Sequence, residues 1–230
     1  YGFVALNAMG IDCVVDGMNE AGLSVGFLWL PDITKYQDVP AGQEPNAILI
    51  NDLGAWILGS FAKTSEVKDA LGSVRIWGKL VPQLGMIPPL HLAVHDAQGQ
   101  SLVVEFIDGK VNVYDNPFGV LTNTPEFSWH LTNIRNYVQL SAQGAAPVDI
   151  DGVRVAPTGS GSGLLGIPGD STPPSRFVRA LTLTRVADPV KDGPDAVNLA
   201  AHILNTVDIP RGTVKEKKGD LFDMWVFGHK

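Results

Sequence analysis

Cys13 is the one thiol in the 230 residues, and a thiol becomes a nucleophile only where its surroundings lower its pKa. It lies between Asp12 and Val14 in what reads as an apolar strand, with no base beside it, and the residues favour a buried structural cysteine. His91 and His95 have the i, i+4 spacing of a helical metal pair, yet the residues between them alternate as a strand. A strand separates such residues by roughly 13 Å, too far to chelate one ion, so they read as sheet or cleft residues. Gly159-Ser160-Gly161-Ser162-Gly163 invites a phosphate-loop reading, but Pro157 precedes it, Leu164 to Asp170 follows it, and no Lys is present; a flexible loop or tight backbone crossing fits better. Asp170 and Arg176 flank a Pro-Pro helix start, where an acid and a base can pair and orient the turn. Asn123, in Val120-Leu121-Thr122-Asn123-Thr124-Pro125, offers a neutral NH₂ donor for negative charge developing on a carbonyl oxygen. An Asx-type turn cap is the other reading of the same residue. Trp29 ends an apolar run just before Leu30-Pro31, where its ring either lines a pocket or fills core.

The elements that must carry these residues are short strands and amphipathic helices. Phe3–Leu6, Cys13–Val15 and Leu23–Leu30 read as strands, the first as buried, and Gly17 to Gly22 has the residues of a hairpin turn. Asp32 to Pro45 reads as a polar loop. From Ile48 to Phe61 the apolar residues Ile50, Leu53, Ile57, Leu58 and Phe61 follow a 3.6 period, which predicts a helix capped by Asn46 or Asn51. A second helix starts at Thr64 and stops at Gly72. His91–His95, Ser101–Ile107 and Val111–Tyr114, separated by turn residues, predict an antiparallel meander. Helices are predicted at Phe127–Leu140, at Thr172–Val186 behind Pro173 and Pro174, and at Asp195–Asn205. Strands and helices in separate blocks favour layered antiparallel sheets flanked by helices, an α+β fold, over parallel βαβ units. Nothing repeats and no linker is visible, so residues 1–230 read as a single domain.

Composition bounds the function. Hydrophobic residues are 45% and charged residues 18% of the chain, which is the balance of a packed globule. The formal charge of −7 disfavours a nucleic-acid partner, since the only basic cluster, Lys215, Lys217 and Lys218, is interleaved with Glu216 and Asp220. No apolar run reaches the ~18 residues of a membrane span. One cysteine excludes an internal disulfide and leaves the compartment open.

Three segments together resemble the choloylglycine hydrolase family, which contains bile salt hydrolases and penicillin V acylases. They are Asp16-Gly17-Met18-Asn19-Glu20-Ala21-Gly22-Leu23, then Asn116 to Pro125 with Phe127-Ser128-Trp129-His130, then Gly166-Ile167-Pro168-Gly169-Asp170 through Pro174-Ser175-Arg176-Phe177-Val178-Arg179. Ile203-Leu204-Asn205 and Arg211-Gly212 also fit, and the fit fades from Leu221 onward.

The resemblance implies an N-terminal nucleophile hydrolase, a four-layer αββα sandwich in which an exposed N-terminal cysteine attacks an amide with its own α-amine as base. It implies no cofactor and no metal. By the same resemblance Asn123 is the side-chain oxyanion donor, Trp29 gives the second donor through its backbone N–H, and Arg176 faces the nucleophile. Asp16 and Asn19 match family residues and are expected to fix the loop behind Trp29. An aromatic at position 29 is similar to the penicillin V acylases, with tryptophan resembling those of Gram-negative bacteria. The implied substrates are penicillin V, an N-acyl homoserine lactone or a conjugated bile salt. Export to the periplasm behind a signal peptide and a homotetramer are implied in the same way. The family pattern starts about fifty residues earlier and continues further, so the chain is expected to lack the nucleophile segment and the last strands, of which Asp223 to Phe227 would be the first. The nucleophile is then expected outside these residues or on a companion fragment; the competing reading is an inactive relative that binds or scaffolds.

Overall fold

Apolar side chains at alternate positions of four neighbouring strands build the core. The computed structural model describes residues 1–8, 10–218 and 221–223, with 216–218 and 221–223 described by backbone alone. Two units divide the chain, Tyr1–Trp129 and His130–Lys230.

In the first unit, β1 (Phe3–Leu6), β2 (Asp16–Asn19), β3 (Ser24–Trp29), β6 (Leu90–His95), β7 (Ser101–Ile107) and β8 (Lys110–Asp115) form one antiparallel sheet in that order. Val25, Val94 and Leu102 share one row across β3, β6 and β7, and Phe27, Leu92 and Val104 the next. All six point to the face covered by α1 (Ile50–Ser60) and α2 (Thr64–Leu71), where Leu53, Ile57, Leu58 and Val67 are fully buried. Each such side chain contributes about 1.5–3 kcal/mol by leaving water. At Gly54 the helix comes so near that an added Cβ would lie 2.7 Å from that of Val14, ahead of β2, and 3.0 Å from the ring of Phe27 on β3. The meander β6–β8 matches the predicted strands closely. Its second face is buried as well: His91, Val103 and Glu105 have no exposure.

Several elements differ from expectation. β1 forms as an edge strand paired with β2, but all four of its residues are exposed rather than buried. Cys13 is not in a strand; it occupies a bend ahead of β2 and is half-buried. The helix predicted from Ile48 starts at Ile50, since β4 (Ala47–Leu49) pairs in parallel with β5 (Arg75–Trp77). Leu49 is its N-cap and no side chain caps it, Asn46 and Asn51 included. α2 starts at Thr64 as predicted, with Glu66 accepting from the N–H groups of Ala62 and Lys63.

The junction of the units falls inside α3 (Phe127–Asn133), which gives way to a 3₁₀ turn at Ile134–Tyr137 rather than running to Leu140. In the second unit a hairpin that the sequence reading did not mark, β9 (Val148–Ile150) and β10 (Val153–Val155), turns at Asp151 and Gly152, both with positive φ. α4 (Pro173–Val186) starts on its two prolines, and α5 (Gly193–Asn205) is capped by Asp192, whose carboxylate accepts from the Asp195 N–H at 3.0 Å. Arg179, 8% exposed, donates to the carbonyls of Pro168 and Asp170, both at 2.7 Å, and of Thr206 at 2.9 Å, tying the middle of α4 to the loop before it and to the C-terminal end of α5. β11 (Glu216–Lys218) pairs with β12 (Leu221–Asp223). The continuation of the strand expected at Asp223 to Phe227 lies outside the described residues.

Candidate active site

The register of β3 decides which way Trp29 presents its peptide groups. The Leu30 N–H donates to Pro89 O at 2.7 Å, so even-numbered residues of this stretch bond to β6 and odd-numbered ones face the opposite edge. On that edge the Phe27 N–H donates to Val15 O at 2.8 Å, the last rung before β2 and its lead-in turn away. Two residues on, the Trp29 carbonyl accepts from Asn123 Nδ2 at 2.9 Å. The Trp29 N–H points to the same edge, and among the described residues no acceptor takes it. A backbone donor and a side-chain amide donor therefore meet at the open end of one strand. An oxyanion site is built from two such donors aimed at one point, and here one Asn123 Nδ2–H is spent on the Trp29 carbonyl.

Asn123 is delivered by a loop that is itself pinned. Asn116 accepts through Oδ1 from the N–H groups of Phe118 at 3.2 Å and Gly119 at 3.1 Å, and donates to Val120 O at 3.2 Å. This Asx-type loop carries the chain from β8 into Thr122, which is buried. Asn116, seven residues before Asn123, caps this turn.

The Trp29 side chain lines a cavity of about 110 Å³ together with Ile11, Cys13, Val14, Phe27 and Leu84. Its walls are almost wholly apolar. Cys13 contributes a thiol, and burial pushes its pKa up, followed by the nearby Asp12 charge, against one backbone hydrogen bond from Ala8. Its amide N–H is an ordinary peptide group donating to Ile11 O at 2.9 Å. A thiol held in its neutral form, with no α-amine, is a pocket wall and not a nucleophile.

A larger hollow of about 330 Å³ near the start of α2 is polar and already satisfied internally. Lys68 pairs with Asp115 at 2.7 Å, and Asp96 accepts from Thr64 N at 3.1 Å and Oγ1 at 2.8 Å. Those hydrogen bonds hold the Asp96 carboxyl below its usual range despite the opposing cost of burial. It is a helix cap.

The remaining sequence-designated residues fall as follows. Asp16 pairs in register with Gly26 on β3, three residues from Trp29, and desolvation raises its carboxyl pKa against one backbone bond from Gly17. Asn19 is not behind Trp29. It sits at the β2–β3 turn, at the other end of β3, accepting from Ala21 N at 3.1 Å and Leu23 N at 2.9 Å and donating to Leu58 O at 2.8 Å and Phe61 O at 2.7 Å. It fastens the hairpin to the end of α1. Arg176 belongs to the second unit, in the first turn of α4, where Nε donates to Ser171 O at 3.1 Å. Burial first, and then Arg179, lower its pKa. Asp170 does not pair with it: its carboxylate accepts from Thr172 N at 2.9 Å, from the Thr172 hydroxyl, and from Ser175 Oγ at 2.6 Å. Among the described residues no cluster of three His, Cys, Asp or Glu is arranged to hold a metal, and no helix is long and apolar enough to cross a membrane.

The family description "linear amide C-N hydrolases, choloylglycine hydrolase family" matches residues 1–223. The chain is 38% identical over 212 residues to a bile salt hydrolase/transferase of Clostridium perfringens, an alignment that covers 90% of this chain and 63% of that protein. Its structure is similar to that of a variant of the conjugated bile acid hydrolase from Clostridium perfringens, with a TM-score of 0.77 at 32% identity over 91% of this chain and 63% of the other. A penicillin V acylase from Agrobacterium tumefaciens matches with a TM-score of 0.69 at 26% identity, over 88% and 54%. The chain thus spans 63% of the length of the first two relatives. These likenesses bear out the α+β, αββα class expected from the sequence.

Proposed function

The chain belongs to the choloylglycine hydrolase family of linear amide C-N hydrolases, and from that membership we propose that it cleaves the C–N bond of a small N-acylated substrate by acyl transfer through a thioester. The nucleophile is an N-terminal cysteine outside these 230 residues, with its α-amine, whose pKa lies near 8, as the base. The scissile carbonyl oxygen sits at the open edge of β3, where the Trp29 N–H and the Asn123 side-chain amide stabilise its negative charge in the tetrahedral intermediate. Arg176 supports the thiolate. The acyl group occupies the apolar cavity beside the Trp29 ring, which favours an aromatic or aliphatic acyl chain such as those of penicillin V or an N-acyl homoserine lactone; a conjugated bile salt is the third substrate of this chemistry. Export to the periplasm behind a signal peptide and assembly as a homotetramer are part of the same proposal, open to cell fractionation and to light scattering.

The observation that carries this reading is the convergence at Trp29: its carbonyl 2.9 Å from Asn123 Nδ2, its N–H on the same edge. The test is Asn123→Ala in the full-length protein, assayed for amine release. A fall in kcat of about 10²–10³ with the fold retained is expected, and full turnover in that variant would remove Asn123 from the site. N-terminal sequencing and thiol alkylation of the full-length protein decide the nucleophile.

A further inference from the structure

The first unit buries two ionisable side chains that the proposed chemistry does not use. His91 on β6 and Glu105 on β7 are cross-strand neighbours, each with 0% side-chain exposure, and His91 Nδ1 lies 3.1 Å from Glu105 Oε1. The same Oε1 accepts from the backbone N–H of Phe127, the first residue of α3, at 2.9 Å. Which of the two side chains donates in that contact is set by the His91 tautomer, and Oε1 has a lone pair for each of its two partners. His91 Nε2 and Glu105 Oε2 find no partner among the described residues. A buried pair with half of its polar atoms unpaired adds little net stability and can even oppose folding. What it does supply is geometry.

That geometry reaches both proposed oxyanion donors. Across the sheet, Leu28, His91, Glu105 and Asn112 stand in one row. Leu28 is the residue before Trp29, so His91 lies against the strand position that aims the Trp29 N–H. On its other side Glu105 grips Phe127 N, four residues beyond Asn123, and Phe127 is fully buried with its ring 5.9 Å from that of Tyr114. The chain through Asn123 is therefore held both by its own bond to Trp29 O and by the Glu105 clamp on the start of α3, among its other contacts.

We propose that Glu105, oriented by His91, is a positioning residue that holds Asn123 on the Trp29 carbonyl, beside the Trp29 N–H, by clamping the start of α3. This rests on the reading of Asn123 and Trp29 as the oxyanion donors. Loss of the clamp lets Asn123 shift, and a displacement of about 1 Å at such a site costs on the order of 10²-fold in rate.

The test uses the full-length protein. In His91→Leu/Glu105→Leu, which replaces the pair by apolar groups, kcat is expected to fall by about 10- to 100-fold with KM little changed and near-UV circular dichroism retained. Glu105→Gln keeps an acceptor oxygen for Phe127 N–H and is expected to retain most of the turnover. Where the double variant does not accumulate, Glu105→Met, with turnover normalised to folded protein, carries the same test. Added to Asn123→Ala, the pair substitution is expected to cost nothing further, because it acts through Asn123. Wild-type kcat in the folded pair variant, or a loss that multiplies fully with that of Asn123→Ala, overturns the positioning role. A large loss in Asn123→Ala with none in the pair variant sinks this inference alone, whereas undiminished turnover in Asn123→Ala sinks the oxyanion reading and this inference together.

Discussion

The side-chain amide of Asn123 and the carbonyl oxygen of Trp29, 94 positions apart in sequence, are joined by a hydrogen bond of 2.9 Å. The bond fixes more than a distance. It requires an N–H donor at that atom of residue 123, because the atom it faces is an acceptor, and it thereby settles how the amide of Asn123 is turned.

Asn123→Asp tests that orientation. A carboxylate facing the Trp29 carbonyl is repelled and donates nothing, so kcat relative to wild type is expected to fall by at least the 10²–10³-fold of a lost oxyanion donor. Protonation restores an O–H donor. The ratio of variant to wild-type kcat should therefore rise as pH falls through the carboxyl range near 4, while the ratio for Asn123→Ala stays flat. A flat profile for both variants shows that residue 123 does not act as a donor.

Asn19 makes a different claim, one about stability. Its side chain is 5% exposed and makes four hydrogen bonds, two to the hairpin turn and two to the end of α1. Asn19→Ala removes all four and leaves buried N–H and C=O groups unpaired, at about 0.5–1 kcal/mol net for each. A loss of about 2–4 kcal/mol is expected from urea unfolding, with the midpoint moved and the slope unchanged. Since Asn19 lies at the far end of β3 from Trp29, kcat of the folded variant should hold.

Much of this was legible in the residues, and the limits have physical causes. The meander from His91 to Tyr114 could be read because its alternation matches a sheet with a helix-covered face. The hairpin at Val148 to Val155 carried the same kind of signal, alternating Val-Asp-Ile and Val-Arg-Val around Asp151-Gly152, and it went unmarked. Residue type alone leaves Asn123 between a donor and a turn cap and Trp29 between pocket and core, and the family resemblance supplies their joint role; only the register of β3 against β6 and the bond from Asn123 show that the Trp29 N–H and the Asn123 amide share an edge. No local pattern reveals such pairing. Glu105 is harder still: a carboxylate inside an apolar alternating strand reads as an outward-facing residue, whereas both faces of β7 are buried. Asp170 and Arg176 looked paired by charge alone, yet the hydroxyls of Thr172 and Ser175 are nearer in the turn and satisfy the acid first.

That capture of Asp170 has a pH consequence. Hydrogen bonds from Ser175 and then Thr172 hold its carboxyl down to about 2. A depressed folded-state pKa contributes stability that is fully present above the unfolded value, near 4, and is lost as pH falls from there through the folded pKa of about 2. Asp170→Asn should therefore flatten the dependence of stability on pH across that acid window, leaving the slope above pH 5 unchanged while stability there is lower than wild type. The residue is exposed and the effect screened, so the readout is the slope of the unfolding midpoint against pH rather than its absolute position. A slope equal to wild type contradicts the capping role.

Cys13 separates the pocket from the chemistry. It lines the cavity beside Trp29, its thiol pKa is raised by burial, and its amide is a peptide N–H bonded to Ile11 O. A wall residue of that kind affects substrate fit; a nucleophile would abolish turnover. In the full-length protein Cys13→Ala should leave kcat close to wild type and change KM by a modest factor, since small changes in an apolar pocket shift discrimination by roughly 10- to 200-fold at most. Alkylation at neutral pH should modify Cys13 slowly, because its thiolate fraction is small, and the rate should climb with pH until the thiol ionises. Abolished turnover in Cys13→Ala, with the fold intact, would assign the nucleophile to Cys13 and overturn the N-terminal cysteine mechanism.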